Sequence, residues 1–315
     1  MPTAYAGPGK IYFNSIGLQP EGENGSVVIA LNEERADIAA AMFGKIGQQQ
    51  LNEEASISFT PFDNWGSLRT LLPASVGVTV GASAAALVIG TRPHGAANVP
   101  CKVWTPDGRL YHAVRAAVVG HPSLHLGIGK ALFGQATISC LGDPATAMGA
   151  SGHIISGNAI TESAAADPGG AMTMADFIRG AWVGVWGAVS GFDAVEAEEE
   201  WTIENQIKYS PLKVQGRTVA MKLDSVSFMA KVRPYGPTHT QILAAIGAHT
   251  HGQRLGSADL TLTGPSSKTI TLENAEAVGA GFEFGGTRLG SGEIGFVNEM
   301  SFSAGAPTSL LTFSA

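Results

Sequence analysis

The chain repeats itself in order, and an internal repeat restricts the fold more than any single motif, because each copy must close the same supersecondary unit. Ala55-Ser56-Ile57-Ser58-Phe59 precedes polar residues and an apolar-periodic stretch over residues 68–77. Asp224-Ser225-Val226-Ser227-Phe228 precedes a similar spacer and then Gln241-Ile242-Leu243-Ala244-Ala245-Ile246-Gly247. The offset is 169 at the Phe pair and 170 at the Gly pair. Further on, Val118-Val119-Gly120 meets Ala277-Val278-Gly279 at 159. Leu124-His125-Leu126-Gly127 meets Phe282-Glu283-Phe284-Gly285 at 158, as does Gly134-Gln135-Ala136-Thr137-Ile138 with Gly292-Glu293-Ile294-Gly295-Phe296. Upstream, Asn32-Glu33-Glu34-Arg35 faces Glu198-Glu199-Glu200-Trp201, and Phe43 faces Tyr209, both at 166. The offset drops in one stretch, where 26 residues from Gly77 to Val103 stand against 15 from Gly247 to Leu262. With 41 glycines among 315 residues, accidental Gly matches are expected, so shared order carries the inference and the few identities do not.

A chain of 315 residues is about twice the commonest domain size. The repeat divides it into a first domain over residues 1–143 and a second over 176–315. Between them, residues 144–175 are rich in Ala, Gly and Ser with few large hydrophobes, the composition of a linker. Charge is uneven: up to Gly157 there are 9 basic and 10 acidic residues, and beyond it 10 and 16, the excess lying largely in Asp193, Glu196, Glu198, Glu199 and Glu200.

Short β-branched or alternating runs bounded by Gly, Pro, Asp or Asn predict strands over residues 27–31, 56–59, 101–104, 110–119, 124–126 and 135–140. Their counterparts are 219–228, 260–262, 269–272, 282–284 and 296–302. Thr105-Pro106-Asp107-Gly108 and Gly264-Pro265-Ser266-Ser267 carry hairpin turn chemistry at matching places. One helix per half is expected. Residues 66–76 set Leu68, Leu71 and Leu72 at i, i+3 and i+4, and residues 237–248 set Ile242, Leu243 and Ile246 on one face behind a leading Pro. Residues 36–43 are Ala-rich enough for a helix, yet their counterpart 203–209 alternates like a strand. The expected fold class is mainly β: two tandem, similar β-sandwich or barrel domains, each with one packed α-helix.

Chemistry is sparse. Charged residues make up 14 % of the chain against a usual ~25 %, and 19 Lys plus Arg against 26 Asp plus Glu leave a net charge of −7, which repels phosphate backbones. His249-Thr250-His251 with His239 nearby is the best metal candidate, but it lacks a convincing third ligand and reads better as a solvated loop after a helix. His121 and His125 flank a Pro-Ser turn. Gly149-Ala150-Ser151-Gly152-His153 falls short of a nucleophile elbow. The Gly pairs at 169–170 and 285–286 lack the Lys-Ser/Thr of a phosphate loop. The acidic run 193–200 lacks a calcium loop's Asx and central Gly, and reads as a solvated or assembly-facing edge. No catalytic, cofactor-binding or metal residue is assigned, and no enzyme is expected. Cys101 and Cys140 are either neighbours on adjacent strands or buried free thiols, in a reducing compartment. Residues 1–9 show no secretory signal, and the uncharged run 70–91 is too rich in Pro, Gly and Ser to cross a membrane.

The duplicated order of strand, Ser-x-Ser-Phe strand, helix (66–76; 237–248), hairpin (101–119; 260–276) and closing strand (135–140; 296–302) resembles the tail tube (major tail) proteins of long, non-contractile-tailed bacteriophages, in the version with two tandem tube domains. The resemblance spans nearly the whole chain and rests on layout. It implies a structural virion protein, assembled in the host bacterial cytoplasm, whose sheets join those of neighbouring copies into stacked rings. These form a channel that delivers DNA without binding it specifically and surrounds a tape measure protein, with tail-tip and terminator proteins at the ends. If six such domains make a ring, a chain with two needs three copies, so homotrimeric rings are expected. The insertion 78–100 and the linker depart from the pattern. The alternatives are another tail component of the same fold, a distal tail or terminator protein that stops at one ring, or a carbohydrate-binding β-sandwich protein using Trp65, Trp104, Trp182, Trp186 and Trp201 as stacking platforms.

Overall fold

Alternation decides most of this chain's local structure. Residues of Ala136–Cys140 are buried at every second position, as a strand with one face on a core requires. The computed structural model describes residues 9–14, 16–21, 26–62, 65–81, 85–90, 99–106, 108–142, 161–164, 178–187, 192–214, 216–235, 258–279, 282–285, 288–298, 302–303, 306–307 and 309–314. They are mainly β. One sheet runs β11 (Thr161–Ala164), β7 (Arg109–Ala113), β6 (Cys101–Trp104), β1 (Lys10–Phe13), β2 (Ile16–Leu18). A second runs β14 (Lys208–Val214), β15 (Arg217–Ser225), β4 (Gly44–Phe59), β10 (Ala136–Cys140), β8 (Ala116–Gly120), with β3 (Val28–Ala40) also on β4. The third runs β17 (Ala258–Thr263), β12 (Val183–Trp186), β13 (Val195–Asn205), β16 (Phe228–Pro234), β21 (Ile294–Asn298), β18 (Thr269–Gly279), β24 (Leu311–Phe313), β5 (Val78–Val80), with β9 (Leu124–Gly127) on β13. Two small hairpins complete the set, β19 (Phe282–Gly285) with β20 (Arg288–Ser291) and β22 (Phe302–Ser303) with β23 (Ala306–Pro307).

The halves use the same strand orders. In the first, β7-β6-β1 and β8-β10-β4-β3 lie in separate sheets; in the second, β18-β17-β12 and β18-β21-β16-β13 follow the same sequence of neighbours, with the two ends of β18 taking the places of β7 and β8, and β12 also pairs with β13 to join the two runs. Register agrees residue by residue. Val103 opposes Tyr111 and Leu262 opposes Ile270; Ile138 opposes both Ile57 and Val118, as Phe296 opposes Ala230 and Ala277. An irregularity interrupts β10 against β8 at Gly120, and β21 against β18 at the matching Gly279. Phe13 and Trp186, Ile57 and Ala230, and Ile138 and Phe296 are all buried. Each such side chain contributes roughly 1.5–3 kcal/mol when large and fully buried.

The pairings revise several expectations. The Ser-x-Ser-Phe match does not join equivalent positions. Ser56 to Phe59 lie inside the ladder, whereas Ser225 to Phe228 straddle the break between β15 and β16, and pairing partners set Phe59 against Val232, an offset of 173. By the same criterion β3 meets β13 at 174, not 166, since Ile29 opposes Ile57 as Ile203 opposes Ala230. Residues 36–43, open in sequence between helix and strand, are strand and turn, since β3 runs to Ala40 and turns with the Phe43 N–H donating to the Ala40 carbonyl at 3.1 Å. Residues 161–164, inside the compositional linker, form β11 on the edge of β7. The expected first helix is a single α-turn, α1 (Leu68–Leu71), between 3-10 turns Trp65–Ser67 and Ala74–Val76; the expected helix 237–248 lies outside the described residues.

The two halves share one buried cluster. β5, from the insertion 78–100, pairs in parallel with β24 at the far end of the chain, and Gly77 takes φ +81 with Leu310 3.0 Å from where its Cβ would stand. Trp65 lies 6.3 Å from Trp182 and edge-on to Phe313, and its indole N–H donates to the Ser314 carbonyl.

Candidate assembly surfaces

The first surface is already occupied. β9 of the first half adds to β13 of the second, with Leu124 opposite Ile203, His125 opposite Thr202, Leu126 opposite Trp201 and Gly127 opposite Glu200. A Cβ on Gly127 would come within 2.7 Å of the Glu199 carbonyl oxygen and 2.8 Å of the Glu200 Cβ, so glycine is what lets the backbones approach there. His125 lies 3.4 Å from Glu200 Oε1 through Nδ1 and 3.0 Å from Ser123 Oγ through Nε2.

Beside it, the turn that begins at His121 is clamped. His121 is buried with Nδ1 2.6 Å from the Leu71 carbonyl, which can only accept, so Nδ1 carries the proton and Nε2 accepts from the Tyr209 hydroxyl at 2.6 Å. Burial pushes the Tyr209 phenol above its ordinary value, which keeps that donor protonated. Asn205 Nδ2 donates to the carbonyls of His121 and Pro122 at 2.8 and 3.1 Å. The acidic run lines a cleft of about 480 Å³ together with Gly127, Lys130 and Trp182. Glu198, one of its lining residues, lies 3.9 Å from Arg233.

The second surface is open. β3 pairs on one side with β4, and among the described residues no strand covers its other side. The β3·β4 ladder runs out to a tip at Ala40 and Gly44, where Met42 is 90 % and Phe43 79 % exposed, with Ile38, Ile46 and Leu51 exposed along the arm. Surface contacts hold the tip: Asp37 accepts from Lys45 at 2.6 Å and from Gln48 at 3.1 Å, and Lys45 first, then Gln48, lowers its pKa. β15 reaches β4 through Arg217 opposite Glu53, and Lys213 lies 3.2 Å from Glu54.

The histidines of the Pro-Ser turn both lie at the occupied surface, His121 against Leu71 and Tyr209 and His125 against Ser123 and Glu200. His239, His249, His251, Ser151 and the Gly pair 169–170 lie outside the described residues, and Gly285 ends β19. Cys101 and Cys140 are free and buried on strands of different sheets. Burial raises the Cys101 thiol well above its ordinary value, the nearby Cys140 adding to it, and burial pushes Cys140 up to about 12. Trp65, Trp182, Trp186 and Trp201 are buried, which removes four of the five proposed sugar platforms; Trp104 lies under Lys10 Nζ at 5.6 Å. Among the described residues no helix is long and apolar enough to cross a membrane. The arm escaped sequence reasoning, although apolar Ile38, Met42, Phe43, Ile46 and Leu51 scattered among polar neighbours were a readable sign of a surface awaiting a partner. No protein-family model matches the sequence, and no curated protein matches it.

Proposed function

We propose that the chain is a tandem pair of related units serving as a structural virion protein. On this reading, trimeric rings assemble in the host bacterial cytoplasm and stack into the tail tube of a long, non-contractile-tailed phage. The tube encloses a tape measure protein, meets tail-tip and terminator proteins at its ends and passes DNA without gripping it. The observation that carries the reading is the β3·β4 arm, with its exposed apolar tip and unpaired strand edge. Covering five such side chains at roughly 1.5–3 kcal/mol each supplies roughly 8–15 kcal/mol, comparable with the ~4–15 kcal/mol lost in immobilising a copy. Edge hydrogen bonds at ~0.5–1.5 kcal/mol apiece add the surplus. A monomer that leaves a long edge open instead invites uncontrolled pairing. The net charge of −7 fits a channel that must release a polyanion.

Negative-stain microscopy of the purified chain tests this directly. The expected image is hollow tubes of stacked rings, each of three chains with pseudo-sixfold outline. Rings of six chains would overturn the stoichiometry, discrete single rings would favour a distal tail or terminator protein, and a monomer at all concentrations would overturn the assembly reading.

A further inference from the structure

The contact between the halves specifies how the next copy attaches. We infer that β19 adds to the open edge of β3 in a second copy of this chain, with Phe282 opposite Ile29, Glu283 opposite Val28, Phe284 opposite Val27 and Gly285 opposite Ser26. This rests on the assembly reading above and adds the strand, the direction and the register.

The pairing repeats one observed interface within the chain. β9 has a neighbour on each side: Leu124 bridges Phe133, with the His125 N–H donating to the Leu132 carbonyl, and β13 lies on the other flank. β19 repeats the first of these contacts, since Phe282 opposes Ser291 and both residues stand 158 beyond Leu124 and Phe133. Its other flank pairs with no strand among the described residues. β3 and β13 hold the same place in their sheets, Ile29 opposing Ile57 as Ile203 opposes Ala230, which fixes their offset at 174. Residues 200–203, the part of β13 that β9 covers, therefore correspond to residues 26–29. There Val28 is 50 % exposed, and among the described residues no strand covers that side.

Among its described residues the chain thus presents a donor strand and an acceptor edge of the same design as its own internal junction. A contact of that kind is heterologous, so it propagates head to tail and closes only as a ring. Gly127 allows the close backbone approach inside the chain, and Gly285 stands at the corresponding position of β19. Antiparallel partners bring Cα atoms to about 4.5–5.5 Å, within reach of a disulfide.

The test uses full-length protein carrying Val28→Cys and Glu283→Cys together, assembled and then oxidised. Interchain disulfides are expected at a level at least about tenfold above that of the shifted pair Val28→Cys with Gly285→Cys, because a two-residue slip carries the sulfurs out of bonding range. Tubes or rings that form without this cross-link, or with the shifted one, would overturn the inference while leaving the assembly reading standing; a chain that never assembles overturns both. Gly285→Val provides the second measurement: an unchanged melting temperature with assembly abolished is expected, and normal assembly by this variant would count against the inference.

Discussion

β13 and β3 occupy equivalent positions in their sheets, yet one is finished and the other is not. Trp201 and Ile203, which face β9 across the ladder, are buried, Trp201 to 0 % exposure, while their counterparts Val27 and Ile29 are half-buried beside an exposed Val28. Both strands are apolar at these positions, so the difference lies in the neighbour. Burial in a sheet is a property of the pair, and a half-covered apolar strand measures the partner it lacks.

Truncating the finished side should produce the largest effect. Trp201 packs against Phe296 at 6.4 Å between ring centres and lies over Gly184, where a Cβ would collide with its ring. Trp201→Ala is expected to remove about 3–5 kcal/mol of stability, the usual result of emptying so large a site. Val27→Ala in the unassembled chain should remove less than about 1 kcal/mol, since a half-exposed side chain has little burial to lose. Urea unfolding of both variants gives the comparison. Equal losses would mean that the β3 edge is already covered and would break the contrast.

A smaller effect is expected where the turn of the first half is fastened to the second. Tyr209→Phe deletes the hydroxyl that donates to His121 Nε2 and leaves a buried acceptor unsatisfied, which costs about 1–3 kcal/mol. Thermal melting checks it, and Asn205, bonded to the same turn, should keep the turn in place. An unchanged melting temperature would show that the clamp adds nothing to the junction.

Much of this architecture was legible in local pattern. The alternation in Cys101–Trp104 and Ala136–Cys140, the turn chemistry after Trp104 and Thr263, and the order of segments along the chain all correspond to pairings in the fold. What stayed hidden depended on distant partners. Ala-rich residues 36–43 favour a helix locally, but thirteen residues of β3 pair with β4, and ladder bonds outweigh a propensity of a few tenths of a kcal/mol per residue. β11 is small and polar enough to resemble linker, and only the edge of β7 makes it a strand. His121 meets Tyr209 across 88 residues, a contact no local spacing encodes, and the Ser-x-Ser-Phe identity misled because one copy lies inside a ladder and the other crosses the break between β15 and β16. Of the open arm, the apolar residues scattered among polar ones were legible, but which strand edge they flank was not, because composition records an apolar residue and not whether a neighbour covers it.

The smallest expected effect sharpens the same comparison at a different ladder. On β6·β7 Lys102 opposes His112, and at the equivalent place on β17·β18 Thr261 opposes Thr271, their hydroxyls 3.3 Å apart. Both ladders are then covered by a further strand, Thr161 of β11 opposite His112 and Thr312 of β24 opposite Thr271. Only the first ladder carries a histidine at this place. Desolvation, and secondarily the Lys102 charge, lower the His112 pKa below its ordinary 6.5. A histidine shifted in that direction stabilises the fold fully above its unfolded value, and that contribution is lost as pH falls through the lowered folded value. Acidification from neutrality to below 6.5 should therefore weaken β7 and its cover strand while leaving β18 unaffected at this site. Amide hydrogen exchange, corrected for intrinsic rates, reads the two ladders separately in one sample. Protection of β7 should fall relative to β18 as the pH drops, and replacing Lys102 and His112 together by the Thr pair of the second half should abolish the difference. Parallel behaviour of both ladders in the unmodified chain would show that this substitution of a charged pair for a neutral one has no consequence for stability.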